Sequence, residues 1–284
     1  MMSHGAITVV NAIPCGIGAT VGVDLVTGAT FRIRGSKHSV KILNDPEEDT
    51  KMAEICVRRT FERFGVEEPE AWLLSVDSHI PIARGLKSSS SACNAIISTV
   101  ADFITKEYPK ARGGFSEGRD GTLEIIRLGV ECAREAGVTI TGAFDDACGC
   151  HFGGLVITDN RNDTIIKKDD VDIMDVILLV PDAKIRKHSV DAGKLRSAAD
   201  TARELIGTAE NDWCSALTRN GALIARLTGV NDDAAKKALS MGALAAGVTG
   251  TGPAISVIVK KGEGYPFLKD LGNDGYNTIM TKTR

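Results

Sequence analysis

The sequence predicts an α+β protein built in two parts, and three observations lead there. Strand-length runs of β-branched residues and longer segments with apolar positions at helical spacing both occur along the whole chain. Three stretches dense in glycine and hydroxyl residues interrupt them, at Pro81–Ala92, Thr139–Gly154 and Gly247–Ala254. A polar, charged stretch from Arg161 to Asp172 lies near mid-chain and divides the protein into 1–165 and 166–284.

The elements follow in order. Ala6 to Ile13 is a β-branched strand, and Pro14 to Ala19 a glycine-rich turn. Val21–Val26 and Ala29–Arg34 read as two further strands. Gly16, Gly18 and Gly22 do not form a dinucleotide-binding fingerprint, because Val21 stands at the third glycine position and no helix pattern follows. Pro46-Glu47-Glu48-Asp49 opens a helix with proline early and acids in its first turn. Ala53, Cys56, Val57, Phe61 and Phe64 form its buried stripe, and Gly65 ends it. Ala71–Val76 is a strand, Ala92–Phe103 a helix after the first small-residue stretch, and Leu123–Ala136 another helix. Leu155–Asn160 closes the first part as strand and turn. The second opens on the strand Asp175–Pro181 and continues with helical patterns near 194–207, 210–228 and 232–245. Trp213, Leu217, Leu223, Leu227, Leu239 and Leu244 read as their core. The strand Ile255–Val259 follows the third small-residue stretch.

Composition bounds the partners. Of the 284 residues, 43% are hydrophobic and 25% charged, ordinary values for a globular protein. The formal net charge of −3 gives no general attraction to nucleic acid or anionic lipid, so an anionic ligand has to be held by a local cluster. With no apolar run near the length of a membrane span and no leader-like segment, the expectation is a soluble cytoplasmic protein with neither nucleic acid nor membrane as partner. Seven scattered cysteines, an odd number, read as buried thiols. Cys148, Cys150 and His151 are close in sequence, but no second ligand group accompanies them and no structural metal is expected.

The chemistry is carried by the small-residue stretches. Pro81-Ile82-Ala83-Arg84-Gly85-Leu86-Lys87-Ser88-Ser89-Ser90-Ser91 runs from a strand into a helix. Such a turn leaves several backbone N–H groups without intrahelical partners and aims them, with the positive end of the helix dipole, at one point. The stretch reads either as an anion-holding loop or as a serine-rich helix cap; it lacks the glycine pattern of a Walker loop. In the second stretch Asp145 and Asp146 are adjacent carboxylates in surroundings almost free of charge, a costly placement unless a cation or a proton to be moved is present. A helix cap accounts for one of them; a catalytic or metal role is expected for at least one. In the third, Gly247, Gly250 and Gly252 permit close backbone approach to a ligand or simply a tight turn.

Together these stretches resemble the GHMP small-molecule kinases. Pro81, Gly85, Leu86, Ser88, Ser89 and Ser90 match that family's phosphate loop. Asp146 before Gly153-Gly154 resembles its catalytic aspartate segment, and Gly247–Pro253 is similar to its C-terminal glycine loop. Gly85–Ser90, Thr141–Asp146, Val10–Pro14 and Gly22–Leu25 look most like the archaeal shikimate kinase branch, and Lys87, where most relatives have a small residue, points the same way.

The resemblance implies a two-domain fold, with an N-terminal part like the second domain of ribosomal protein S5 and a ferredoxin-like C-terminal part. It implies phosphoryl transfer from ATP with Mg²⁺ to a hydroxyl of the small molecule shikimate, with a homoserine or mevalonate-type kinase, or a non-catalytic ATP-binding regulator, as alternatives. Asp146 would be the catalytic base. Pro81, Arg84, Gly85, Leu86, Lys87, Ser88, Ser89, Ser90 and Ser91 would bind the nucleotide, with Ser89 and Glu135 on the metal and Glu131 as alternative to Glu135. Asn11, Asp24, Asp145, Thr249, Gly250, Thr251 and Gly252 would contact the acceptor, whose carboxylate would meet Arg84, Lys87 or Arg186. The family's base-assisting lysine on the N-terminal strand has no counterpart, since no lysine or arginine precedes Arg32.

Overall fold

The computed structural model describes residues 1–182 and 191–284; Arg186 lies outside the described residues. A first sheet combines β1 (Met2–Val10), β2 (Ile17–Arg32), β3 (Ser39–Ile42), β4 (Leu73–Ser78), β5 (Leu155–Asp159) and β6 (Thr164–Asp169). Its order is β3-β4-β2-β5-β6, with β1 also paired to β2. The β3–β4 pair is parallel and the others antiparallel. Four helices belong with it: α1 (Lys51–Phe64), α2 (Ser88–Glu107), α3 (Gly118–Glu135) and α4 (Phe144–Phe152).

The second sheet contains β7 (Asp175–Val180), β8 (Ala245–Val248), β9 (Ile255–Val259) and β10 (Asn277–Lys282), all antiparallel in the order β10-β7-β9-β8. Helices α5 (Ala192–Arg196), α6 (Ala199–Ala209), α7 (Trp213–Thr228), α8 (Asp233–Ser240) and α9 (Gly264–Leu271) complete that half. A βαββαβ chain order with the antiparallel sheet order β10-β7-β9-β8 is the ferredoxin-like arrangement. Each half has a core of its own, around Phe61, Trp72 and Ile96 in the first and Ile177, Ile224 and Val257 in the second, and a third core joins them. Val9, Val21 and Leu155 of the first sheet pack in one cluster with Val176 and Leu178 of the second and with Leu205, Leu217 and Leu223 between them. That shared core fixes the small-residue loops of both halves relative to each other.

Several elements depart from the sequence pattern for identifiable reasons. Helix α1 starts at Lys51, not Pro46, because the acids shape the turn before it: the Asp49 carboxylate accepts from the Lys51 N–H at 2.9 Å. Its stripe and its end at Gly65, left-handed at φ 64°, are as predicted. Thr27-Gly28 does not break the second strand, since Gly28 continues the ladder opposite Met2 on one side and Asp77 on the other. The polar stretch from Arg161 holds β6, which pairs antiparallel with β5 and spans residues 165 and 166. Helix α8 ends at Ser240; Gly242 turns at φ 97°, and Leu244, expected in the core, is 41% exposed at the start of edge strand β8.

Candidate active site

The loop from Pro81 reaches α2 through three left-handed residues: Ala83 (φ 56°), Gly85 (φ 84°) and Lys87 (φ 67°). This winding delivers the chain to the helix start with the backbone of Gly85–Ser90 around a cavity lined by Ser88, Ser89, Ser90, Lys87 and Asp146. The N-terminal dipole of the 20-residue α2 points into it.

The third small-residue stretch closes the other side. Gly85 and Gly250 meet backbone to backbone, and a Cβ on Gly85 would come within 2.2 Å of the Thr249 carbonyl oxygen. Thr249 Oγ1 donates to the Gly85 carbonyl at 3.2 Å and accepts from the Thr8 N–H at 3.0 Å, while the Gly250 N–H donates to Thr8 Oγ1 at 2.9 Å. The Ala254 N–H reaches the Arg84 carbonyl at 3.1 Å. We predict that Gly85→Ala forces these loops apart and weakens anion binding at this loop at least about tenfold, beyond the ~1–2 kcal/mol of a left-handed alanine. Gly65→Ala, left-handed but in open space, is the control and leaves that affinity unchanged in calorimetric titration.

Helix α4 brings the acid pair. Its N-terminus, capped by left-handed Ala143, places Asp145 and Asp146 in the first turn, where the dipole favours carboxylates. Gly149 lets α4 lie against β2, because a Cβ there would meet Thr20 Oγ1 at 2.3 Å. Both acids are about 95% buried. Asp146 Oδ1 lies 2.9 Å from Lys87 Nζ, which also donates to Thr8 Oγ1. Asp145 Oδ1 accepts from Asn160 Nδ2 at 2.6 Å. A second, smaller cavity is lined by Thr8, Asn11, Thr141, Asp145 and Asp146, and Lys87, Asp146, Gly250 and Thr251 line both cavities. An anion-holding helix start, a buried ammonium–carboxylate pair and a polar pocket therefore meet at one point, which suits transfer of an anionic group onto a ligand in the smaller cavity.

Residues 51–154 match the model of the GHMP kinases N terminal domain. The shikimate kinase of Methanobrevibacter smithii is 34% identical over 258 residues, spanning 90% of this chain and 86% of that one. The shikimate kinase of Pyrococcus furiosus is 32% identical and covers 98% of this chain and 97% of its own. The chain belongs to the GHMP kinase family. Among solved structures, the Methanococcus jannaschii mevalonate kinase shares the fold over 100% of this chain and 98% of its own, with a TM-score of 0.79 at 15% identity. Homoserine kinase from Cytophaga hutchinsonii does so at 0.68 and 16%, over 94% of that chain.

In this GHMP kinase the sequence-predicted residues fall into two groups. Gly85, Lys87, Ser88, Ser89, Ser90, Asn11, Asp145, Asp146, Gly250 and Thr251 line the two cavities. Thr249 and Gly252 shape the loop behind them, and Leu86 anchors it in the core. Pro81 stands at the loop's entry.

Others are turned elsewhere. Ser91 is fully buried one turn into α2. The Arg84 guanidinium donates to the Asp182 carbonyl, and burial draws its pKa down. Asp24 is exposed on β2, 3.6 Å from His4. Glu135 and Glu131 point away along α3 and are bound by Arg58 and Arg59 of α1. Burial pushes the Cys148 and Cys150 thiols well up and the His151 imidazole down, and among the described residues no group of three His, Cys, Asp or Glu forms a metal cluster.

Sequence reasoning missed Thr8, Glu48 and an apolar cavity. Thr8 is a buried hydroxyl between Ile7 and Val9, and a polar residue in an apolar strand was its one signal. Glu48 lines the loop cavity with Ser88 and Ser89. The apolar cavity opens beside them, walled by Ile42, Met52, Val76, Ile82, Ala92 and Ile96. Its lining comes from β3, α1, β4, α2 and the loop after Pro81, which no local motif could gather.

Proposed function

We propose that this chain transfers the γ-phosphoryl group of ATP to the 3-hydroxyl of shikimate, giving shikimate 3-phosphate and ADP. The observation that carries the transfer is the buried Lys87–Asp146 pair standing where the two cavities meet. The acceptor rests on the shikimate kinases that are 34% and 32% identical to this chain over most of its length.

The triphosphate lies against the backbone N–H groups of Gly85–Ser90 at the start of α2, and the base enters the apolar cavity that shares Ser88, Ser89, Ile82 and Glu48 with the phosphate site. Shikimate enters the smaller cavity. Asp146 accepts the proton of the attacking hydroxyl as the new P–O bond forms and the bond to the bridging oxygen breaks. The Lys87 ammonium holds that carboxylate in place and offsets charge on the transferring group. Mg²⁺ takes oxygen donors, commonly one or two carboxylates together with substrate phosphates, and Ser89 with Glu48 would supply them here. Mg²⁺ bound with ATP neutralises phosphate charge.

The test is ADP release with shikimate, homoserine and mevalonate supplied separately. Release with shikimate alone is expected. Release only with another alcohol reassigns the acceptor, and none with any of them makes the chain a non-catalytic ATP binder.

A further inference from the structure

Asp145 and Asp146 are neighbours in sequence. Asp146 meets the Lys87 ammonium, and Asp145 meets the Asn160 amide, which is itself fixed on several sides. Asn160 Oδ1 accepts from the Asp145 backbone N–H at 3.1 Å and from Thr158 Oγ1 at 2.7 Å. With its oxygen taken by two donors, the amide can turn only its Nδ2 toward Asp145 Oδ1 at 2.6 Å and Thr141 Oγ1 at 3.3 Å. Asn160 is 2% exposed and Thr158 fully buried. Thr20 Oγ1 pins the Asp145 carbonyl at 3.0 Å. Gly18 leaves room for the other carboxylate oxygen, since a Cβ there would come within 2.2 Å of Asp145 Oδ2. Three elements, β2, α4 and the end of β5, are thus shaped around one carboxylate that lines the smaller cavity.

A buried carboxylate is costly to desolvate, and an ionised one can only accept hydrogen bonds. What it recognises is therefore a donor. An acceptor bearing its own carboxylate must turn that group away from the two acids and present its hydroxyl edge to them. Asp146 takes one hydroxyl, and Asp145, lining the same small cavity, is placed to take the next.

We infer that Asp145, aimed by Asn160, binds the hydroxyl on the carbon beside the one that is phosphorylated, so that the site selects a vicinal diol. In shikimate that group is the 4-hydroxyl. Asn160 is then a positioning residue for acceptor specificity. This inference rests on the acceptor reading above.

The experiment compares shikimate with 4-deoxyshikimate in the wild type, Asp145→Asn and Asn160→Ala, following ADP release, ATP affinity and thermal unfolding. In the wild type, loss of the hydroxyl lowers kcat/KM by about 100-fold, the range for a site whose buried carboxylate loses its donor. Asn160→Ala lowers kcat/KM on shikimate about tenfold, chiefly through KM, with ATP affinity intact and less than about twofold change on 4-deoxyshikimate. Asp145→Asn, which keeps the side-chain shape, shows the same pattern and decides the matter if Asn160→Ala fails to fold. A wild type that uses both compounds equally, or variants impaired equally on both, overturns the inference while leaving shikimate as acceptor. A wild type silent on shikimate overturns the acceptor reading and this inference with it.

Discussion

Asp146→Asn lowers turnover by about 10³-fold while ATP affinity changes less than about twofold, the loss being that of a positioned general base. Asparagine keeps the shape of the side chain and an oxygen that can accept from Lys87, but it cannot take the hydroxyl proton. In the proposed pose the nucleotide is held by backbone N–H groups at the start of α2 and by the apolar cavity, which Asp146 does not line, although Asp146 borders the phosphate cavity. The variant is also less stable, because the Lys87 side chain, 6% exposed, loses its counter-charge; breaking a buried pair from one side costs about 3–5 kcal/mol. Turnover is therefore measured well below the variant's own unfolding temperature, with ATP binding followed by titration. An unchanged turnover number removes Asp146 from the base role.

What the sequence carried and what it did not divide along a physical line. Gly85, Asp146 and Gly250 were legible because a left-handed turn, a carboxylate among small residues and a close backbone approach each leave a local mark. The stripe of α1 was legible because helical period and burial coincide from Ala53 to Phe64. Spacing along α3 says nothing of Arg58 and Arg59 on another helix, and those two guanidiniums bind Glu135 and Glu131 away from both cavities. The exposure of Asp24 was hidden in the same way, on a strand whose alternation is masked by burial on both faces of its neighbours. The apolar cavity and Thr8 exist only after β1, β3, β4, α1 and α2 have assembled. Strand β6 was hidden by its polarity; it lies at the sheet edge, where alternate residues face water.

Lys87→Met carries the second large effect and separates the two tasks of the ammonium. Methionine matches the length of the lysine stem and fills its buried space, so the change removes charge and donors rather than volume. Turnover falls by about 10²–10³-fold, the range for deleting one preorganised electrostatic contact at a site of developing charge. The left-handed backbone at residue 87 and the hydrogen bonds between Gly85, Thr249 and Thr8 remain, so the anion-holding start of α2 persists and ATP still binds. Stability falls because the Asp146 side chain, 7% exposed, is left as an uncompensated buried charge. The double variant Lys87→Met/Asp146→Asn tells pairing from catalysis. If the pair is one coupled unit, the double variant melts above either single variant, since neither charge is stranded, and its turnover is little below that of Asp146→Asn alone. If the two residues act independently, their turnover losses multiply and the melting temperatures show no recovery. That outcome would place Lys87 with the phosphates only and leave Asp146 to be held by α4.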